Sequence, residues 1–469
     1  MELIKKRILE KVKFETPSDF VSVLEYKNLV RTELMEIVTN GISETKEIEI
    51  WTDAIQMALN ENKRAYIPDF GKRIYLDDSV VLKTGYAIKA DKNQEIALTP
   101  DTNVCLLRNE NIISGVDCPV ALENPDEDIY IEGGIWTSLE EENGNALLLS
   151  HKENPIKGVF SIMLFSNVRN ITFKNIQFTE SPSYAIQLCN VENFNISDIR
   201  FFSYHKDGIH LNGPARFGVI ENLYGDDMGD DMVAVNAWDW HSSAMSFGTI
   251  SNVYINNINS TNNEFRLLPG QKIFENGERV DCDIRDLVIE NVRGVYTYKL
   301  YAQPYYLNEL EGINDVSGTV GVIENVYFKN IEFPRILQYG FADIIAVKGL
   351  FEICADCDNI FIEDVLVCDS CDELLNKDVT LVKVGPLSAT YKLDEKDTSK
   401  WCELFEPDAV CTVKNIYIKN VVMGGEKLTE SDASRVARAI KLTVNENYPV
   451  TIPKGGNGYG ILEKVHMDQ

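Results

Sequence analysis

Three aspartates and one arginine stand in the middle of the chain at intervals that could serve acid–base chemistry. Asp207 lies in DGIHL, Asp230 and Asp231 lie in GDDMVAV, and Arg266 opens RLLPG. Carboxyl groups that lie close together repel one another when ionised, so one of them is expected to keep a proton at neutral pH. Such a carboxyl can donate a proton to a leaving oxygen while its ionised neighbours activate water.

A repeated seven-residue pattern predicts the strands that must position these residues. It reads polar, apolar, any, apolar, any, Asn or Asp, apolar. The copies are NITFKNI from Asn170, NFNISDI from Asn193, FGVIENL from Phe217, NVYINNI from Asn252, DLVIENV from Asp286, NVYFKNI from Asn325, NIFIEDV from Asn359 and NIYIKNV from Asn415. Such alternation predicts short strands with one buried face.

The spacing of the copies predicts how the strands are arranged. Successive copies begin 23, 24, 35, 34, 39, 34 and 56 residues apart. A nearly constant minimum interval, lengthened elsewhere by inserted loops, is typical of a solenoid that is built one coil at a time. The sequence therefore predicts an all-β fold, a single-stranded right-handed parallel β-helix whose Asn side chains stack along the turns.

The ends of such a solenoid need caps, because they expose strand edges and apolar core. A short N-terminal capping helix is predicted, with Thr52 as its N-cap and with the apolar residues Ile55, Met57, Ala58 and Leu59, before the first strands in AYIP and SVVL. We assign residues 1–50 to an N-terminal extension, 51–425 to the β-helix, and 426–469 to a C-terminal cover with a helix candidate in SDASRVARAIKL. Residues 372–410 lack the repeat and are interpreted as an insertion.

One column of the solenoid collects the candidate site residues. Fourteen residues after the start of four successive repeats lie Tyr184, Asp207, Asp231 and Arg266, and Asp230 immediately precedes Asp231. Equal positions in adjacent coils are separated by one strand spacing, roughly 4.8 Å. Diverging acids one coil apart could therefore reach the roughly 6.5–9.5 Å that inverting glycoside hydrolysis requires between acid and base.

A purely structural explanation of these residues stays open. Asp is common beside Gly in turns, and strict alternation gives Asp207 the same parity as apolar Ile209, and Asp231 the same parity as Val233. A bend at the start of each strand would be needed to turn the acids outward. His210 has the opposite parity, so it is expected to face the cleft, with a structural hydrogen bond as the alternative.

The stretch KDGIHLNGPARFGVIENLYGDDMGDDMVAVNA resembles the active-site segment of glycoside hydrolase family 28, the polygalacturonase family of the pectin-lyase-like β-helix superfamily. Asp207 with Gly208 matches the Asp-Gly element of the family, and Gly229 with Asp230 and Asp231 matches its Gly-Asp-Asp element. The resemblance implies that Asp230 is the general acid and that Asp207 and Asp231 hold the attacking water. It also places Arg266 at the substrate-binding Arg of the Arg-Ile-Lys motif of the family.

The sequence departs from the family pattern where a uronate carboxylate would be bound. The Lys of Arg-Ile-Lys is Leu268 here, and the Gly-His-Gly motif is missing, although His241 could substitute for its His. The Asp spacing also resembles that of the β-helical α-galactosidases of family 110, and a neutral galactoside would suit the missing Lys. A wall that stacks on sugar, with plain packing as the alternative, would consist of Tyr184, Trp238, Trp240 and His241.

These observations predict an inverting glycoside hydrolase that cleaves a galacturonide or galactoside linkage in poly- or oligosaccharides with three Asp residues and no cofactor. Two alternatives stay open. A uronate polysaccharide lyase of the same fold would use Arg266 as a base, and the acidic GDDMGDD could bind Ca²⁺. A non-catalytic glycan-binding β-helix would need no acid at all.

Composition limits the partners. The chain has 45 basic and 73 acidic residues, a formal net charge of −28, which argues against nucleic acid and anionic membranes. Hydrophobic residues make up 44% and charged residues 25%, which excludes a disordered chain. A carbohydrate substrate is compatible with this charge, since an acidic sugar needs only a local Arg or Lys. Oligomeric state is not indicated.

The start of the chain and its cysteines predict a cytoplasmic protein. MELIKKRILEKVKFE has no apolar core of the kind a secretory signal needs, and ten irregularly spaced cysteines indicate reduced thiols. Cys354 and Cys357, followed by Cys368 and Cys371, superficially fit a four-thiolate zinc site. The repeat strand NIFIEDV separates the two pairs, however, so we interpret them as packing residues and predict no metal.

Overall fold

The computed structural model describes residues 1–39, 41–100, 102, 104–112, 122–139, 161–181, 183–239, 245–273, 278–301, 307–308, 321–334, 348–368, 379–385, 403–404, 410–439 and 459–467. Within these ranges the helices are α1 (Glu2–Lys11), α2 (Thr52–Asn62), α3 (Ala433–Val436) and the 3₁₀ segments Val23–Leu29 and Glu430–Asp432. None of the helices in these ranges is long and apolar enough to cross a bilayer.

Strands make up most of the described chain. The N-terminal strands are β1 (Val21–Ser22), β2 (Arg31–Thr39), β3 (Ile42–Ile50), β4 (Arg64–Ile67), β5 (Ile74–Leu76), β6 (Val80–Leu82), β7 (Ala87–Ala90), β8 (Glu95–Leu98), β9 (Leu107–Asn109), β10 (Asp126–Glu132) and β11 (Ile135–Thr137). The central strands are β12 (Ser161–Lys174), β13 (Gln177–Ser181), β14 (Tyr184–Tyr204), β15 (Ile209–Met228), β16 (Asp231–Asn236), β17 (Ile250–Leu268), β18 (Gly270–Ile273), β19 (Arg279–Cys282) and β20 (Ile284–Tyr301). The C-terminal strands are β21 (Leu307–Asn308), β22 (Val322–Phe333), β23 (Lys348–Cys354), β24 (Asp356–Val367), β25 (Val379–Val384), β26 (Glu403–Leu404), β27 (Val410–Met423), β28 (Glu426–Lys427), β29 (Ala437–Ala439) and β30 (Tyr459–Met467).

The repeat strands stack in parallel and in the register that the sequence pattern predicts. The second residue of each copy pairs with the second residue of the next, in the order Ile171, Phe194, Gly218, Val253, Leu287, Val326, Ile360 and Ile416. Apolar side chains of all these coils fill one continuous core. The parallel stacking of a mostly β chain is therefore confirmed, and right-handed winding stays a prediction.

Asn and Asp recur in the pattern because the backbone at the coil corners is left-handed. Asn170 and Asn193, at the first position of the repeat, have φ of 59° and 56°, and Asn175, at the sixth position, has 55°. Asn and Asp tolerate this region better than other non-glycine residues. The amides also pair between coils, since Asn193 Nδ2 donates to Asn170 Oδ1 at 3.1 Å. The predicted stacking of Asn side chains is confirmed.

Helix α2 buries Ile55, Ala58 and Leu59 in the core. AYIP and SVVL are not the first strands of the stack, because β1 pairs in parallel with β4 and the end of β3 pairs in parallel with β5. Two details of the helix also differ from the prediction. Met57 is 38% exposed, because it lies on the outer face of the helix. Thr52 is the first helical residue rather than the N-cap, and its hydroxyl donates to Asp77 Oδ1 at 2.7 Å.

The N-terminal helix α1 lies on the outside of the solenoid. Ile8 is fully buried against Val219, Tyr254 and Val288, which belong to three successive coils. Strands β2 and β3 then form an antiparallel hairpin, and Ile50 at its end pairs in parallel with β5. The assignment of residues 1–50 as a separate extension stays a prediction.

Two predictions for the C-terminal third need correction. In the described part of SDASRVARAIKL, residues 431–439, the α-helix is limited to the short α3, because Ala437–Ala439 turn to an extended conformation and pair with β25 instead. That strand lies inside the interval 372–410, so the interval is not wholly an insertion. VTLVKV is buried along its whole length and pairs with β23 rather than with a repeat strand, so it carries no copy of the repeat.

Candidate active site

The strands β14, β15, β16 and β17 position the candidate residues. Ile186, Ile209, Val233 and Phe265 pair across them in order. Asp207 precedes Ile209 outside the regular strand, and the register is irregular between Asp231 and Val233. These irregularities remove the parity objection, because strict alternation does not extend to either acid.

The Asp-Gly element needs glycine at position 208, because no side chain fits there. A Cβ at this position would lie 2.9 Å from the carbonyl oxygen of Met232 and 2.9 Å from Phe201 Cζ. Both contacts are shorter than a side chain tolerates, so the backbone beside Asp207 approaches the next coil this closely only with glycine there.

The three predicted acids come together. Asp207, Asp230 and Asp231 each offer a carboxylate oxygen within 4.8 Å of the others. The backbone N–H of Asp231 donates to Asp207 Oδ1 at 3.3 Å, which ties the two coils together at this point. The nearest carboxylate oxygens are therefore closer together than the roughly 6.5–9.5 Å that inverting hydrolysis requires between acid and base.

The three carboxyl groups differ in exposure. The side chain of Asp230 is 28% exposed, whereas those of Asp207 and Asp231 are 2% and 0% exposed. Burial and the charge of Asp207 raise the pKa of Asp230 to about 6. Burial raises the pKa of Asp231 well above its ordinary value, and the opposing charge of Arg266 does not offset it. One accessible acid that is partly protonated near neutral pH is the arrangement that proton donation requires.

Arg266 reaches the acids although it does not stand in their column. Its Nη2 lies 2.8 Å from Asp231 Oδ2 and 3.4 Å from Asp230 Oδ1. The residue directly opposite Asp231 is Glu264, and Arg266 is opposite Ala234. The predicted column was wrong at this position, because the segment between the repeat and the column is shorter in β17 than in the preceding coil.

Sequence reasoning missed a second group of charges beside Arg266. Lys299 pairs with Arg266 in the next coil, and its ammonium is ion-paired with Glu264, which also accepts a hydrogen bond from Tyr296. Lys206 Nζ lies 3.8 Å from Asp230 Oδ2. Glu264 and Arg266 are separated by one aromatic residue in the sequence, as are Thr297 and Lys299 in the next coil. This alternation of polar and apolar residues could have indicated the group. Lys206 and Arg266 therefore lie beside the accessible acid, and Lys299 lies one coil beyond, opposite Arg266.

His210 and Tyr184 lie with the acids but not as predicted. The imidazole of His210 is 1% exposed, so it does not face an open cleft. It lies between Asp207 and Asp239, and the ring of Tyr184 stacks on it at 4.0 Å between centroids. Tyr184 is 9% exposed and uses one ring face on His210, which leaves little of it for a sugar.

The predicted sugar-stacking wall needs a correction at Trp238. This side chain is 1% exposed and belongs to the continuous core, because the chain turns inward where β16 ends. Trp240 and His241 lie outside the described residues. Asp239, which no pattern in the sequence singled out, stands between the two tryptophans and is fully buried beside His210.

The three acids have the donor set of a cation site, but the arginine competes for it. Carboxylate oxygens at these distances could hold Ca²⁺ or Mg²⁺. The guanidinium of Arg266 already contacts two of the three, and its charge would repel a metal ion at the same place.

We therefore expect EDTA neither to inhibit the protein nor to lower its melting temperature. Activity and melting temperature with and without the chelator, together with the metal content of the purified protein, test this expectation. A stoichiometric calcium or zinc signal that disappears together with stability would contradict it.

The cysteine pairs are largely buried where the structure describes them. Cys354 and Cys357 are 0% and 2% exposed, Cys368 is partly buried at the far end of β24, and Cys371 lies outside the described residues. Burial raises the pKa of the Cys357 thiol well above its ordinary value, which disfavours the thiolate that zinc would need.

No family model and no curated protein sequence match the chain. Among solved structures, it is similar to an exopolygalacturonase from Thermotoga maritima (14% identity, 91% of this chain and 97% of that chain covered, TM-score 0.49). It is also similar to the adhesin PfbA from Streptococcus pneumoniae (13%, 96% and 100%, 0.37) and to a polygalacturonase from Erwinia carotovora (12%, 84% and 93%, 0.42). Because these structures include hydrolases as well as an adhesin, the function of this chain has to be argued from its own site.

Proposed function

We propose that the protein is an inverting glycoside hydrolase that cleaves a galacturonide linkage in pectic poly- or oligosaccharides. The observation that carries the proposal is the asymmetry of the three carboxyl groups. Asp230 is accessible and has a pKa raised to about 6 by burial and by Asp207, whereas Asp207 and Asp231 are buried behind it. Asp230 donates the proton to the glycosidic oxygen, and an ionised neighbour polarises the attacking water.

Asp207 is the better placed of the two buried acids to hold that water. Its side chain keeps 2% exposure, whereas the side chain of Asp231 keeps none. Asp231 instead fixes the guanidinium of Arg266 beside Asp230 at 2.8 Å. Arg266 thus remains oriented toward the place where the sugar must lie to contact Asp230.

The cations around Asp230 favour an acidic sugar over a neutral galactoside. Lys206, Arg266 and Lys299 are 37%, 15% and 14% exposed in their side chains. Lys206 and Arg266 lie 3.8 and 3.4 Å from Asp230, and Lys299 lies opposite Arg266 in the next coil, on a chain whose net charge is −28. A local cluster of this kind attracts a uronate carboxylate, and Lys299 could supply the ammonium that Leu268 lacks.

The lyase alternative is disfavoured by the state of the arginine. A lyase needs a neutral base to remove the proton beside the uronate carboxylate. Despite its burial, the surrounding carboxylates, first Asp231 and then Asp230, raise the pKa of Arg266 well above its ordinary value, so it keeps its proton. The non-catalytic alternative has no use for an accessible acid with a raised pKa.

A screen of pectic oligosaccharides and nitrophenyl glycosides tests the proposal. We expect new reducing ends from a galacturonide substrate without the ultraviolet absorbance of an unsaturated sugar. Product that absorbs in the ultraviolet would support the lyase instead. Binding without any turnover would support the glycan-binding alternative.

A further inference from the structure

His210 occupies a position that the proposed reaction does not explain. Its Nδ1 lies 2.6 Å from Asp207 Oδ2 and its Nε2 lies 2.7 Å from Asp239 Oδ2. When both carboxyl groups are ionised they can only accept hydrogen bonds, so both ring nitrogens then donate, as in an imidazolium. Burial acts to lower the pKa of His210, but the charge of Asp239 and the hydrogen bonds to both acids outweigh it and raise the pKa to about 9.

The carboxylate that contacts Nε2 of His210 is itself fixed by a chain of hydrogen bonds. The chain runs from Asp239, after β16, through β15 and β14 to β12. Asn212 Nδ2 donates to Asp239 Oδ2 at 3.0 Å, Gln187 Nε2 donates to Asn212 Oδ1 at 2.8 Å, and Ser161 Oγ donates to Gln187 Oε1 at 2.5 Å. Each of these polar side chains is at most 1% exposed. Buried polar networks in which every member has a partner hold a single arrangement.

The face of the imidazolium is held as well. The ring of Tyr184 stacks on it with an interplanar angle of 11°. Rotation of the His210 side chain would break this stacking and both hydrogen bonds at once. The direction of the Nδ1–H bond toward Asp207 is therefore set by groups that lie away from the proposed sugar site.

Burying this set of charged groups lowers the stability of the fold, so we expect the set to serve the site. Replacing a buried set of charges by apolar residues of similar volume is often neutral or stabilising. The charged groups that face His210 in the described structure are Asp207 and Asp239, and Tyr184, Asn212 and Gln187 are its uncharged neighbours. His210 therefore joins Asp207, an acid of the proposed site, to Asp239, an acid that is buried in the protein interior.

We propose that His210 and Asp239 are positioning residues for the proposed water-holding carboxylate of Asp207. The Nδ1–H of His210 fixes one oxygen of Asp207, while the backbone N–H of Asp231 fixes the other at 3.3 Å. Asp239 in turn fixes the imidazolium. This inference rests on the proposed hydrolase function, because it assigns Asp207 the task of orienting water.

Two variants of the same residue separate positioning from mere packing. The amide nitrogen of Asn can take the place of Nδ1, whereas that of Gln reaches the place of Nε2. His210→Gln loses the donor to Asp207, and His210→Asn keeps it. We expect His210→Gln to lower kcat on the best galacturonide by ~100-fold, the scale of a small misplacement of a reacting group, with KM changed by no more than about threefold. We expect His210→Asn to restore kcat to within about tenfold of wild type.

The controls make the outcomes distinct. His466→Gln changes an exposed histidine on β30 and should leave kcat unchanged. If His210→Gln does not fold, Asp239→Asn, which keeps the shape but weakens the hold on the imidazolium, should lower kcat with KM unchanged. Equal losses in both His210 variants, losses that follow melting temperature, or no loss in either would overturn the positioning role. A wild-type protein without hydrolytic activity would instead overturn the proposed function.

Discussion

Asp230→Asn should abolish hydrolysis while leaving the fold intact. Asp230 is the accessible member of the three carboxyl groups, and its pKa of about 6 keeps part of the population protonated at neutral pH. An amide has nearly the same shape but cannot donate the proton that the leaving oxygen needs. General acid catalysis typically contributes about 10²–10⁴-fold, and we expect a fall in kcat of that size. The measurement needs a substrate with a poor leaving group, since a good one departs without an acid.

Asp226→Asn is the matched control for this experiment. It makes the same chemical change four residues away, at an exposed carboxylate whose nearest side-chain partner is the hydroxyl of Thr261 at 3.4 Å. We expect this variant to keep wild-type activity. If Asp230→Asn retained most of its activity on the poor leaving group, Asp230 could not be the acid.

The same Asp230→Asn variant should be more stable than wild type above pH 6. The pKa of Asp230 is raised in the folded state, so ionising it costs the folded protein more than the unfolded chain. The stability deficit of the wild type therefore grows as the pH rises from about 4 to about 6 and stays complete above that. A shift from 3.8 to about 6 corresponds to about 3 kcal/mol at most. Denaturant unfolding at pH 8 should show a gain of about 1–3 kcal/mol, and unfolding at pH 3.5 should show almost none. An equal gain at both pH values would contradict the electrostatic origin.

The parts of the fold that follow from local chemistry were predictable from sequence. Asn at the first and sixth positions of the repeat reflects a left-handed backbone, and the alternating apolar residues reflect one buried face. Both requirements act within a few residues, so they leave a visible pattern. Strand β25 shows the limit, because it continues the stack of Phe265 and Tyr298 rather than the stack of the repeat strands, where the pattern occurs.

The candidate site was predictable only where it coincides with the strand register. Asp207 and Asp231 follow the stacking order of Ile209 and Val233, so counting along the repeat found both. Counting failed at Arg266, because the path between the repeat and the site is shorter in that coil. Its long side chain nevertheless reaches Asp231, which compensates for the error in register.

Residues beyond the end of a strand were the least predictable. The two tryptophans around Asp239 suggested a sugar-binding wall, yet Trp238 is in the core and Asp239 reaches back to His210. Side-chain direction after β16 depends on the turn of the backbone there, and no periodicity in the sequence reports that turn. The contact of His210 with both Asp207 and Asp239 can be recognised only in the folded structure, because the two acids lie on different coils.

The stereochemistry of hydrolysis tests whether one of the three acids attacks the sugar directly or holds the attacking water. The closest carboxylate oxygens lie within 4.8 Å of one another, and by distance alone this is nearer the roughly 5–5.5 Å of retaining enzymes than the range of inverting ones. Retention, however, requires a carboxylate that bonds directly to the sugar carbon. Asp231 has no exposed surface and Asp207 only 2%, so neither can approach a ring carbon as nucleophile.

We therefore expect the first-formed sugar to carry the inverted anomeric configuration. A water molecule is small enough to reach the edge of Asp207, and it attacks from the face opposite the bond that Asp230 protonates. Proton NMR of the product, recorded before mutarotation on the substrate found in the screen, distinguishes the two anomers. A retained anomer would require a covalent intermediate, and the buried acids would then have to open toward the sugar during the reaction. Asp230→Asn should slow the formation of this anomer by the same factor of about 10²–10⁴, which ties the anomer observed with wild type to this site.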